Sequence, residues 1–197
     1  MNRTAHPING ILLPASALFG LALITFGFCQ ASLMEILSGL CAIFTTEDVL
    51  ITDYIAVAGI GAAFVNAGLV TLVSSAILCK WDDTPNGATM ATIGLMSGFS
   101  LFGKNIVNLW PCFFGTVLYT LVKRESFSKH VNLALRGTAL APMVSFLSIK
   151  FSPWLGIATG LLVGFLLPPV AEHAHRVQNG MNLYSVGFSC GLLAMMM

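Results

Sequence analysis

Lys104, Asn105 and Asn108 stand together in an otherwise oily stretch, and the polar and small residues after them keep a helical spacing. Lys104 and Asn108 are four apart, and Cys112, Gly115 and Tyr119 follow at steps of three or four, so on a helix these side chains share one face. Ionisable groups inside membrane helices usually face a cavity. This face is expected to wall a hydrophilic path, and a positive charge at its mouth favours an anion or a polar neutral solute over a cation. A second reading stays open, in which Lys104 snorkels from an outer turn and the asparagines cap helices.

Other residues invite chemistry less directly. Asn66 sits inside a charge-free run with Gly59 and Ala63 on its face. It serves either as a solute contact or, more in keeping with a lone membrane Asn, as a hydrogen-bonding glue between helices. Gly156, Gly160 and Gly164 recur every fourth residue and clear one helix face for close packing, in a monomer or a homo-oligomer. Glu172 and His173 follow Pro168-Pro169, together with His175 and Arg176. His173 and Glu172 are candidates for a gate or proton site, but His173 and His175 are two apart and fall on different helix faces. No convincing third ligand accompanies them, so neither a metal nor another cofactor is expected. Arg136 precedes an apolar half-segment, where it either binds an anion or anchors the inner interface. No nucleophile elbow, HExxH or Walker motif is present, and no catalytic residue is assigned.

The elements that must position these residues are membrane helices. The chain of 197 residues is 56% hydrophobic and 9% charged, against about 25% charged in soluble domains. That is too little charge to cover a water-facing surface, so lipid is the expected partner. The net charge of +1 and the lack of a basic stripe exclude a nucleic-acid partner. The five cysteines form no CxxC pair, and four lie in or beside apolar runs as small hydrophobes. The first apolar run, from Ile11 to Gln30, is long for a signal peptide, contains Pro14 and precedes no small-x-small cleavage site.

The remaining apolar stretches are Ser32 to Phe44, Tyr54 to Cys79, Gly87 to Gly103, Asn108 to Val122, Leu133 to Ile149, Trp154 to Val170 and Asn182 to Met197. The double proline is expected to end the helix before it. Together these imply an all-α, polytopic transmembrane bundle with about seven membrane segments, some short or broken in the manner of re-entrant half-helices. Residues 31 to 53 carry acids without Lys or Arg, whereas 123 to 136 are rich in both. The asymmetry places the N-terminus on the cytoplasmic side of a plasma membrane, the loop around Glu47 and Asp48 outside, and Lys104 and Lys150 near outer turns. Gly87-Ala88-Thr89-Met90-Ala91 and Gly137-Thr138-Ala139-Leu140-Ala141 form a weak internal echo.

Several strings carry a resemblance: Leu101-Phe102-Gly103-Lys104-Asn105 leading to Trp110-Pro111, Gly137-Thr138-Ala139-Leu140-Ala141-Pro142, Leu167-Pro168-Pro169, and Asn182-Leu183-Tyr184-Ser185-Val186-Gly187-Phe188. Over roughly residues 50 to 197 the chain resembles an uncharacterised family of bacterial polytopic membrane proteins, a domain of unknown function with catalogue number 1576. The resemblance implies longer relatives that carry the module more than once, and residues 1–197 are then one transmembrane domain, the N-terminal part of a longer protein. It transfers no activity, and Arg136 stands where the family pattern leads one to expect an apolar residue. The function expected from the spans, the broken helices and the absence of a catalytic set is a transporter or channel subunit for a small polar or anionic solute. The alternatives are a membrane enzyme acting on a lipid-linked substrate with His173 as base, and a structural or assembly subunit.

Overall fold

The computed structural model describes residues 9–48, 51–177 and 186–196, and the described chain is helical. The helices are α1 (Asn9–Gln30), α2 (Leu33–Thr45), α3 (Tyr54–Trp81), α4 (Gly87–Phe99), α5 (Leu109–Lys123), α6 (Val131–Gly137), α7 (Ala141–Lys150), α8 (Pro153–Val177) and α9 (Val186–Met195). A 3-10 turn, Thr138–Leu140, joins α6 to α7. Four segments are long and apolar enough to cross a membrane: Ile11–Gln30, Tyr54–Trp81, Val131–Lys150 and Pro153–Ala174. This is fewer than the seven or so expected from hydropathy, because α2, α5 and α9 are apolar but short. Large side chains such as Leu18, Leu121 and Trp154 point outward along the bundle.

Helices α1 and α3 pack backbone to backbone. A Cβ on Gly27 would come within 2.6 Å of the Gly61 carbonyl oxygen, and one on Gly68 within 2.7 Å of that of Gly20. The facing glycines repeat at heptad spacing on each helix, which brings one helix axis close to the other. Helix α2 begins with a capping box: Glu35 receives the Ser32 amide at 2.8 Å, and its own amide reaches the Ser32 hydroxyl. The charge of Glu35 is thus used at a helix start. Gly59 breaks α3 with φ 80° and ψ 164°, a conformation open almost only to glycine, so Tyr54 to Ala58 form a separate turn before the long helix.

The α4–α5 pair is a hairpin that starts and returns at the Trp81 end of α3. Thr89 Oγ1 donates to Asp82 Oδ2 at 2.6 Å, and the Trp81 ring meets that of Phe127 edge-on at 5.8 Å. At about 1.5 Å per residue, the 13 residues of α4 and the 15 of α5 rise only about 20 and 22 Å. The hydrocarbon core of a bilayer is about 30 Å thick. The turn of the hairpin therefore falls inside the bundle.

Helix α8 does not stop at Pro168-Pro169 but runs through both prolines. Pro168 lacks the N–H that the Gly164 carbonyl would accept, and Thr116 Oγ1 of α5 donates to that carbonyl instead, at 2.9 Å. The continuation places Glu172 and His173 on a helix rather than in a loop. The three glycines of α8 face α5 and α7 within the chain. A Cβ on Gly156 would strike Ser148 and Val144, one on Gly160 Pro111 and Val144, and one on Gly164 the Cys112 carbonyl.

Candidate functional site: the buried turn of the α4–α5 hairpin

Residues 100–108 connect α4 to α5 without being helical throughout, and α5 begins only at Leu109. Lys104 and Asn108 therefore do not share a helix face with Cys112, as their spacing suggested. What holds them together is a turn. Gly103 takes φ 83°, and a Cβ there would lie 3.0 Å from Pro142 Cγ. The Asn105 side-chain oxygen accepts from the amides of Val107 and Asn108, both at 2.9 Å, while Asn108 Oδ1 accepts from the Asn105 amide at 2.9 Å. The two asparagines thus close the turn on each other.

Three neighbours clamp this turn. Asn66 of α3 donates to the carbonyls of Ser100, at 2.8 Å, and Lys104, at 3.0 Å. The Tyr54 amide donates to the Leu101 carbonyl at 3.1 Å, part of a short antiparallel bridge between residues 53 and 102. Asn108 Nδ2 reaches Ser145 Oγ of α7 at 2.8 Å, the Gly103 carbonyl at 2.9 Å and Asp48 Oδ2 at 3.3 Å. Tyr54 Oη donates to the same Asp48 oxygen at 3.0 Å and accepts from Asn105 Nδ2 at 3.1 Å.

Lys104 points away from these amides. It is 1% exposed, so it does not reach the surface of the chain from an outer turn. Its Nζ lies 3.3 Å from Met96 Sδ and 5.3 Å from the centre of the Phe99 ring, with the thiols of Cys112 and Cys190 in electrostatic reach. Neither ion pair among the described residues includes it. A thioether and a ring face replace only a small part of an ammonium ion's hydration.

The other predicted positions fall elsewhere. Gly115 and Tyr119 lie where α5 packs on α8: a Cβ on Gly115 would meet the Leu161 carbonyl oxygen at 2.3 Å, and the Tyr119 ring stacks edge-on against Phe165. Arg136 crosses to α4, donating to Thr92 Oγ1 at 2.8 Å and to the Ala88 carbonyl at 2.6 Å. His173 is exposed, with Nδ1 at 2.8 Å from the Pro169 carbonyl of its own helix, and Glu172 beside it is exposed as well. The His175 side chain lies outside the described residues. Among the described residues no group of three or more His, Cys, Asp or Glu is placed to hold a metal. A cleft of about 490 Å³ opens at the Gly59 break, lined by Gln30, Glu35, Ser38 and Val57 among others, and the hairpin turn does not line it.

A family model described as a protein of unknown function (DUF1576) matches residues 32–197. The chain belongs to that family. No curated protein and no solved structure matches it. The match includes the whole hairpin, its clamps on α3 and α7, and Asp48.

Asp48, Tyr54, Ser100 and Ser145 were not legible as site residues from spacing. Asp48 reads as one acid of an external loop, yet it is 1% exposed. The available signal is the apolar Val49-Leu50-Ile51 directly after it, which embeds the acid in an oily run.

Proposed function

We propose that this DUF1576 protein is a transporter or channel subunit that moves a small polar or anionic solute across a membrane, with the turn around Lys104 as its solute-binding centre. The observation that carries the reading is the buried Lys104 amine at the meeting point of two short helices, without a carboxylate against it among the described residues. A charge in such a place is expensive unless an opposite charge joins it, and a bound anion would supply that partner and hold the amine protonated. Discontinuous helices that turn back inside the bundle also supply backbone groups to solutes in known transporter architectures. Asn66, Asn105 and Asn108 hold the turn rigid around the ammonium. Gly115 and Tyr119 support it from the α5–α8 contact. The orientation carried by this reading has the N-terminus in the cytoplasm and the Glu47–Lys150 end outside a plasma membrane, following the Lys and Arg asymmetry.

The test is ligand-dependent thermal stability of the purified chain in detergent. Chloride, nitrate, formate, phosphate and the neutral solutes urea and glycerol are the probes. A solute at about 100 times its Kd stabilises the folded form by about 2.7 kcal/mol, and Lys104→Met should abolish that gain for the anion that binds. Stabilisation by none of the probes, or equal stabilisation of Lys104→Met, contradicts the assignment.

A further inference from the structure

Asp48 lies where four elements meet. The α2–α3 connection carries it, and Tyr54 of α3, Asn108 of the hairpin turn and Ser145 of α7 surround it. Oδ2 accepts from Tyr54 and Asn108, whereas the equally buried Oδ1 has no hydrogen-bond partner among the described residues. An ionised carboxylate with one buried oxygen left unmatched is unfavourable, and a proton on that oxygen removes the charge. The neighbours are donors: a phenol, an amide nitrogen and a hydroxyl. A metal cation needs several oxygen ligands instead, so the surroundings suit H⁺.

The charged and titratable groups around Asp48 are few. Tyr54 faces it from α3. Lys104, in the same turn, directs its ammonium to Met96 and Phe99 instead. Glu47 is the adjacent residue, and its exposed carboxylate lies 3.9 Å from Lys150 Nζ at the end of α7.

We propose that Asp48 is a proton-binding site, taking H⁺ from water onto Oδ1 and thereby tightening the turn that carries Lys104. The step forms one O–H bond and transfers no electrons. The bonds from Tyr54 and Asn108 are charge-assisted while Asp48 is ionised and weaken once it is neutral, but removing the buried charge outweighs that loss, so the proton favours the closed site. Asn108 also closes the turn on Asn105 and Gly103, so the tightening passes directly to residues 100–108. Burial already pushes the Asp48 carboxyl up to about 6, against the opposing influence of the nearby Ser145 hydroxyl and the hydrogen bonds from Tyr54 and Asn108. The link from the state of the turn to solute movement rests on the transporter reading, whereas the protonation itself does not.

Infrared difference spectra of the full chain in detergent, acidified from about pH 8 to about pH 4, read the protonated carboxyl directly. A buried-acid band titrating near pH 6 is expected, absent in Asp48→Asn and retained in Glu47→Gln. If Asp48→Asn does not fold, carbon-13 carboxyl-labelled aspartate in the unmodified chain gives the same titration by NMR. Amide exchange of residues 100–108, corrected for intrinsic pH effects, should fall about tenfold on acidification, the change expected when opening becomes harder by about 1.4 kcal/mol. An unchanged band in Asp48→Asn, or an Asp48 resonance that titrates like a free carboxyl, overturns the proton site. A titrating Asp48 with unchanged exchange at the turn overturns the coupling. Failure of every solute probe, with both of these signals intact, counts against the transporter reading alone.

Discussion

Gly164→Ala is the sharpest single perturbation of the scaffold behind the turn. The added Cβ would stand 2.0 Å from the Cys112 carbonyl oxygen, 2.9 Å from its carbon and 3.0 Å from Gly115 Cα. All three are backbone atoms, so no side-chain rotation relieves the clash. Ordinary contact begins near 3.4 Å, and restoring it means moving α5 and α8 apart by about 1 Å, a large shift for a packed interface. The Thr116 bond to the Gly164 carbonyl, 2.9 Å long, then stretches beyond hydrogen-bonding range. Overpacking contributes roughly 1 to 3 kcal/mol and the lost interhelical bond about 0.6 kcal/mol, a destabilisation of about 2 to 4 kcal/mol in all. Unfolding in detergent, by denaturant or steric trapping, measures it. Gly94→Ala is the matched control: nothing lies within 4 Å of the new methyl, and the change should be neutral or stabilise by up to about 1 kcal/mol. Equal stability of Gly164→Ala and the unmodified chain would refute the close α5–α8 contact, and with it the support assigned to Gly115.

Asn66→Leu removes both side-chain bonds to the Ser100 and Lys104 carbonyls and should lower stability by about 1 to 3 kcal/mol, with hydrogen exchange rising first at residues 100–104. Gly59→Ala meets no atom within 4 Å, so its destabilisation, roughly 1 to 3 kcal/mol, comes from the backbone alone and should appear in the same unfolding assay. Asp48 has a folded pKa raised above its unfolded value, so its contribution to stability is fully present below about pH 4 and is lost as pH rises through about 6; Asp48→Asn should flatten that stretch of the stability-against-pH curve. Cysteines at Glu47 and Asp83, introduced singly into a background without native cysteines, should label from opposite sides of the membrane, and labelling from the same side would break the assigned topology.

Hydropathy made the class of fold legible, since a chain with 9% charge has little choice of environment. It did not separate full spans from short segments, because apolar runs of thirteen to fifteen residues look like membrane segments whether or not they reach across. The double proline misled for a different reason. Its effect on the helix was correct in kind, but the freed Gly164 carbonyl found Thr116 on another helix, a partner no local reading supplies. At the turn, residue identity was informative and spacing was not. Lys104, Asn105 and Asn108 do sit together, yet through Asn-closed turns around Gly103 rather than along a helical stripe. The partners that reach them from Asp48, Tyr54 and Ser145 come from distant sequence, and only the fold brings them in.

The central claim concerns solute movement through a centre built on Lys104, and flux in vesicles tests it most directly. Purified protein reconstituted into liposomes loaded with radiolabelled chloride, formate or phosphate should release at least one of them faster than protein-free vesicles. Lys104→Met should return that release to the protein-free rate, while Lys150→Met, which removes a half-exposed lysine outside the turn, should leave it unchanged. Release by Lys104→Met at the unmodified rate, or no release above protein-free vesicles for any of the three anions, contradicts the account.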